Sequence, residues 1–167
     1  MALTNPTLPS ILPAWAVPYD SATAFSKAQT STANGYVGNV NTQLNIGSGR
    51  FDGLWVVDIS AAYMTSSNEF YQLWLAGSND ATFTAGNVEF LAMHDWAATA
   101  ALRLLPAIGS ASPVTPLTGL GALRHVIPFS NFLGCYIFQY LQLYLVVGGT
   151  TPSLTFSSWI SYDTKDR

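Results

Sequence analysis

Of 167 residues, six are Lys or Arg and nine are Asp or Glu, so 9% carry charge against about a quarter in an average soluble domain. Hydrophobic residues make up 49% and aromatics 13%, which excludes a chain disordered throughout. A net charge of −3 argues against a nucleic-acid partner, whose phosphates need clustered cations. The single cysteine, Cys135, excludes an intrachain disulfide and a multi-cysteine zinc site.

Residues 1–33 hold four prolines and no sustained period of 2 or 3.6. The start lacks a basic segment, and Pro6, Pro9, Pro13 and Pro18 interrupt its apolar groups, so it does not read as a signal peptide. It reads instead as an extended N-terminal arm, with Leu8, Ile11, Leu12, Trp15 and Tyr19 as the groups expected to dock on another subunit. At about 3.3 Å per extended residue such an arm reaches roughly 100 Å, against a domain radius of gyration of ~15 Å.

From Asn34 to the end the pattern is that of one β-domain, residues 34–167. Tyr36, Val40, Leu44 and Ile46 share one parity and Asn39, Asn41, Gln43 and Asn45 the other, which predicts a half-buried strand. Arg50–Ser60 follows, with Phe51, Trp55, Val57 and Ile59 on one face. Glu69–Ser78 and Asn87–His94 are the next strands, and Ala100–Leu105 a short element closed by Pro106. Ile108–Gly121 is a loop rich in Gly, Ser and Pro. Leu123–Phe129, Cys135–Val147 and Leu154–Tyr162 complete the set.

The uncharged run Phe132–Gly149 approaches the length of a membrane helix. Gln139, Gln142 and Gly134 within it, and its excess of Tyr, Phe, Ile and Val over Leu, favour a buried strand, so no membrane partner is expected. Cys135 within that run is expected to pack as a small hydrophobe. The fold expected is therefore all-β: an antiparallel β-sandwich of jelly-roll type with about eight strands. His125 to Tyr162 contains no Asp, Glu, Lys or Arg, so its sheet edges lack the usual charge protection and are expected to be central or covered by a partner.

His94-Asp95, with His125, is the best catalytic candidate, but no G-x-S-x-G elbow accompanies it, and His94 reads as a strand-end residue bonded at a turn. No calcium loop, zinc spacing or phosphate-binding glycine loop occurs, so neither a metal nor another cofactor is expected, and the chain reads as no enzyme. Asp58 and Glu69 are expected to be structural carboxylates partnered by Arg50 or Arg103. Trp55, Trp74, Trp96 and Trp159 are expected to fill the space between two sheets, with Trp96 the one nearest the surface. The alternative is a sugar-stacking platform on a carbohydrate-binding β-sandwich module.

The segments Phe51-Asp52-Gly53-Leu54-Trp55-Val56-Val57-Asp58-Ile59-Ser60 and Ser67 to Asp80 (SNEFYQLWLAGSND) resemble the core of jelly-roll capsid cement, or decoration, proteins of tailed bacteriophages. Ile127-Pro128-Phe129-Ser130-Asn131, the Tyr136–Val147 strand and Gly148 to Ser153 resemble the closing half of the same proteins. The likeness covers residues 50–162 loosely. It implies a structural virion protein on the outer surface of a phage capsid, a homo-oligomer (dimer or trimer) that bridges subunits of the major capsid protein. It implies no catalytic residue, and under it the arm would meet the capsid shell or a neighbouring subunit, while the carbohydrate-binding alternative would be a module on a virion surface.

Overall fold

The computed structural model describes residues 19–63, 66, 68–98 and 123–162, and every regular element among them is a β-strand. Strands β1 (Ala24–Ser31), β4 (Asp52–Ala62), β7 (Leu123–Ser130) and β11 (Leu154–Tyr162) form one antiparallel sheet in the order β1-β11-β4-β7. The second sheet runs β2-β10-β5-β6, from β2 (Gly35–Val37), β10 (Tyr140–Gly148), β5 (Phe70–Ser78) and β6 (Val88–Ala97). The short β3 (Leu44–Asn45) continues the edge of β10 that β2 begins. A hairpin of β8 (Phe132–Leu133) and β9 (Tyr136–Ile137) projects between β7 and β10.

The two sheets face each other across one core. In β4, Trp55, Val57 and Ile59 point inward; in β10, Leu141, Leu143, Leu145 and Val147 do so; Tyr71, Leu73 and Leu75 of β5 meet them. Period-2 alternation in these strands is what a sheet with one buried face requires. Trp55 keeps its indole satisfied inside this layer by donating to Ser158 Oγ at 2.8 Å. The outer face of the four-stranded sheet carries a smaller cluster of Ala24, Val56 and Trp159, against which Tyr19, Leu54 and Val126 rest.

Several sequence expectations change. Ala24–Ser31 pairs with β11, so the sandwich begins before Asn34 and the arm boundary expected there falls in the connection between β1 and β2. Bulges between Ala24, Ser26 and Gln29, with Ala28 at a φ of 47°, break the alternation that would have marked this strand. The single strand expected over Tyr36–Ile46 is two short pieces, and Tyr36 and Val40 are exposed while Val37 and Leu44 are buried. The segment between them loops back to cap β1: Asn39 Oδ1 accepts from Lys27 N at 2.8 Å, and Asn41 Nδ2 donates to Ala24 O at 2.7 Å.

The Cys135–Val147 strand begins only at Tyr140, because Gly134 turns the chain at a φ of 65° and makes the hairpin. Cys135 is exposed at the tip of that hairpin instead of packing inside. Trp96 is fully buried, whereas Trp74 is the tryptophan that reaches the surface side of its sheet. The expected elements at 100–105 and 108–121 lie outside the described residues. Among the described residues, no helix is long and apolar enough to cross a membrane.

Candidate functional site

Outward-facing residues of the five-stranded sheet build an aromatic row. Alternation turns Tyr144 of β10 and Trp74 of β5 away from the core, and the ladder sets Tyr36 of β2 opposite Tyr144 and Tyr144 opposite Trp74. A bulge between Leu75 and Ala76 brings Phe90 of β6 alongside. Ring centroids follow one another at 5.0 Å (Tyr36–Tyr144), 6.4 Å (Tyr144–Phe90) and 4.8 Å (Phe90–Trp74). Phe83, buried in the β5–β6 loop, closes the row against Tyr36 at 5.8 Å.

These rings are crossed, not coplanar. Neighbouring planes meet at 77°, 51° and 48°, so each ring spends an edge or face on the next. The row therefore forms no flat, coplanar platform. Tyr36 and Phe90 remain 44% and 47% exposed, which leaves an irregular apolar ridge of the kind a shaped protein surface covers. Burial, with the Tyr144 phenol beside it, raises the Tyr36 hydroxyl above its ordinary value and keeps it neutral.

The two histidines predicted as a catalytic candidate do meet. His94 lies within β6 instead of at a strand end, and its Nε2 stands 2.6 Å from Nδ1 of His125 on β7. Asp95 N–H donates to His94 Nδ1 at 3.0 Å, and Trp96 Nε1–H donates to His125 Nε2 at 3.1 Å. Both outer nitrogens therefore accept, and the protons of two neutral rings would both fall on the central nitrogens. Only one proton fits between them, so a neutral pair keeps one outer hydrogen bond at the expense of the other.

Burial, followed by the neighbouring His125, lowers His94 to about 4, and burial lowers His125 as well. A metal-bound histidine donates through its outer nitrogen, the reverse of this arrangement. Among the described residues, no cluster of three or more His, Cys, Asp or Glu side chains could hold a metal ion. Nor does any described serine, threonine or cysteine side chain hydrogen-bond to either ring. The pair is a neutral latch that joins the β6 and β7 sides of the sandwich.

Of the arm residues expected to make contacts, Leu8, Ile11, Leu12 and Trp15 lie outside the described residues. Tyr19 rests on its own chain, edge-on to Trp159 at 5.4 Å, with Lys27 Nζ 5.4 Å from its ring centroid. Asp58 is partnered, as expected of a structural carboxylate, but by Arg124 through two bonds of 2.6 Å; Arg50 pairs with Asp52. The sequence could not show this, since the partner comes from β7 across the β4 ladder. Glu69 is fully buried, and among the described residues neither of its carboxylate oxygens has a hydrogen-bond partner; Arg103, one expected partner, lies outside them.

The fold and surface define an antiparallel β-sandwich with an apolar outer ridge and a closed histidine latch. No family model matches the chain, and no curated protein or solved structure matches it with significance.

Proposed function

We propose that this chain is a structural virion protein of jelly-roll type, a cement or decoration subunit that binds the outer surface of a phage capsid and bridges its major capsid subunits. The observation that carries the reading is the crossed aromatic ridge on the five-stranded sheet. An aromatic side chain buries about 150–250 Å² in full. Tyr36 and Phe90 are already more than half covered by their own chain, so the ridge supplies the apolar centre of an interface and only a part of the roughly 800 Å² that one partner contributes. Few ions need desolvation in a chain with 9% charged residues. Strand order adds support: the sheets β1-β11-β4-β7 and β2-β10-β5-β6 interleave as two packed Greek keys do when the hairpin is set aside. The likeness of residues 50–162 to cement proteins points the same way.

In this reading the ridge meets the shell or a second copy in a homo-dimer or trimer, and the segment before Tyr19 adds further contact. The test is co-sedimentation of the purified protein with undecorated phage heads. The full chain is expected to sediment with the heads, and a Trp74→Ser/Tyr144→Ser variant of unchanged circular dichroism to bind at least tenfold more weakly. A chain that stays monomeric at high concentration and ignores the heads refutes the assignment. A truncation to probe the arm must stop at residue 18, because removing residues 1–33 also removes β1.

A further inference from the structure

A cleft of about 500 Å³ opens at the end of the sandwich where the β5–β6 loop faces the β9–β10 junction. Its volume lies within the usual range of small-molecule sites, about 300–1,000 Å³. The walls are Asn79, Asp80, Asn87 and Glu89 on one side and Tyr136 and Phe138 on the other. Phe138 is buried and forms a fixed apolar wall, whereas Tyr136 is 68% exposed and presents its ring to an incoming group.

The walls are held in place by bonds that leave recognition groups spare. Asp80 clasps its own loop, accepting from Thr82 N and Oγ1 at 2.9 and 2.7 Å and from Thr84 N at 3.2 Å. Those bonds, with the Thr84 hydroxyl foremost, push its carboxyl well below the usual range and spend most of its charge on the loop. Phe83, at a φ of 49°, anchors the same loop against the aromatic ridge. Asn79 Oδ1 accepts from Gln139 N at 2.9 Å, which ties the two walls together and leaves its Nδ2 donor available. Among the described residues, neither the side-chain amide of Asn87 nor the carboxylate of Glu89 has a hydrogen-bond partner, and both residues are exposed.

The chemistry of this set selects its ligand. Among the described residues no Lys or Arg lines the cleft, so a phosphate, sulfate or carboxylate finds no counter-charge from them. A metal cation would find one uncommitted carboxylate, Glu89, since Asp80 is bonded to its own loop. No group of three acidic, His or Cys side chains that could hold it occurs among the described residues, and it would leave the Asn79 Nδ2 donor unused. A neutral polyhydroxyl ring matches the set: its hydroxyls donate to Glu89, exchange paired hydrogen bonds with the Asn87 amide and accept from Asn79 Nδ2, and a C–H face lies on Tyr136. We propose that this cleft is a saccharide site that takes a neutral pyranose unit, separate from the aromatic ridge and independent of whether the chain decorates a capsid.

The test uses the full chain on an array of neutral, anionic and cationic mammalian and bacterial glycans, followed by titration of the best binder with chemical-shift mapping. Binding with shifts centred on Asn79, Asn87 and Tyr136 is expected. Tyr136→Ala and Asn87→Ala should each weaken it at least tenfold, while Trp74→Ser on the ridge leaves it unchanged. Both cleft substitutions are at exposed positions, and an unchanged thermal midpoint verifies that they fold. The inference is overturned by an array without binders, by binding that survives both cleft substitutions, or by preference for anionic or cationic probes.

Discussion

Acid should weaken this fold through the histidine latch before it reaches the carboxylates. His94 is held neutral, its pKa lowered to about 4 by burial and by His125, whereas in the unfolded chain it titrates near 6.5. The unfolded state therefore takes up the proton first as pH falls. The stability contributed by the neutral ring is whole above pH 6.5 and is lost progressively down to about pH 4. At about 1.4 kcal/mol per tenfold difference, the full gap comes to about 3 kcal/mol. Roughly 2 kcal/mol of that falls between pH 7 and 5, before ordinary carboxylates begin to protonate. His125, lowered in the same direction by burial, adds to the loss. Urea unfolding at pH 7, 6 and 5 reads the effect directly, and a thermal scan should show a midpoint about 4–8 °C lower at pH 5 than at pH 7. His94→Gln should flatten most of this slope. Equal stability at pH 7 and 5, or an undiminished slope in the variant, would refute the reasoning.

Asn131 is fully buried and accepts from Phe51 N at 2.7 Å while donating to Gly49 O and Phe138 O at 3.0 and 2.9 Å; Asn131→Ala should cost about 3 kcal/mol or more in urea unfolding, since it strands several backbone groups at once. Trp55→Phe keeps a ring in the core but leaves Ser158 without its indole donor, and a loss of about 1–3 kcal/mol is expected in the same assay. Gly148→Ala would set a methyl group into the Phe70 ring that lies over it; a destabilisation of about 1–3 kcal/mol, relieved in the Phe70→Ala background, would show that the ring is what the methyl group meets.

Strands with a clean period of 2 were legible in the sequence. Leu154–Tyr162 has the bounds expected of it, and Trp55, Val57 and Ile59 face the core as their spacing indicates. What escaped were segments where a side chain or a glycine replaces the regular ladder. At β1 the alternation is broken by bulges, and asparagine side chains at 39 and 41 supply bonds that a neighbouring strand would otherwise make. At Gly134 one left-handed residue converts an apparent continuation of β10 into a separate hairpin and exposes Cys135. The aromatic row was half visible: Tyr144 and Trp74 alternate with leucines, but their juxtaposition with Tyr36 and Phe90 depends on register between strands distant in sequence. The meeting of His94 and His125 likewise depends on two strands from different sheets coming together, which no spacing along the chain encodes.

The asparagine caps on β1 bear on how copies of this protein can crowd together. Ala24, Phe25 and Lys27 already give their outward backbone groups to the loop at 39–41, so an approaching strand finds those positions taken. Lateral fusion of sheets into fibrils is thereby discouraged along that flank even where many molecules stand shoulder to shoulder.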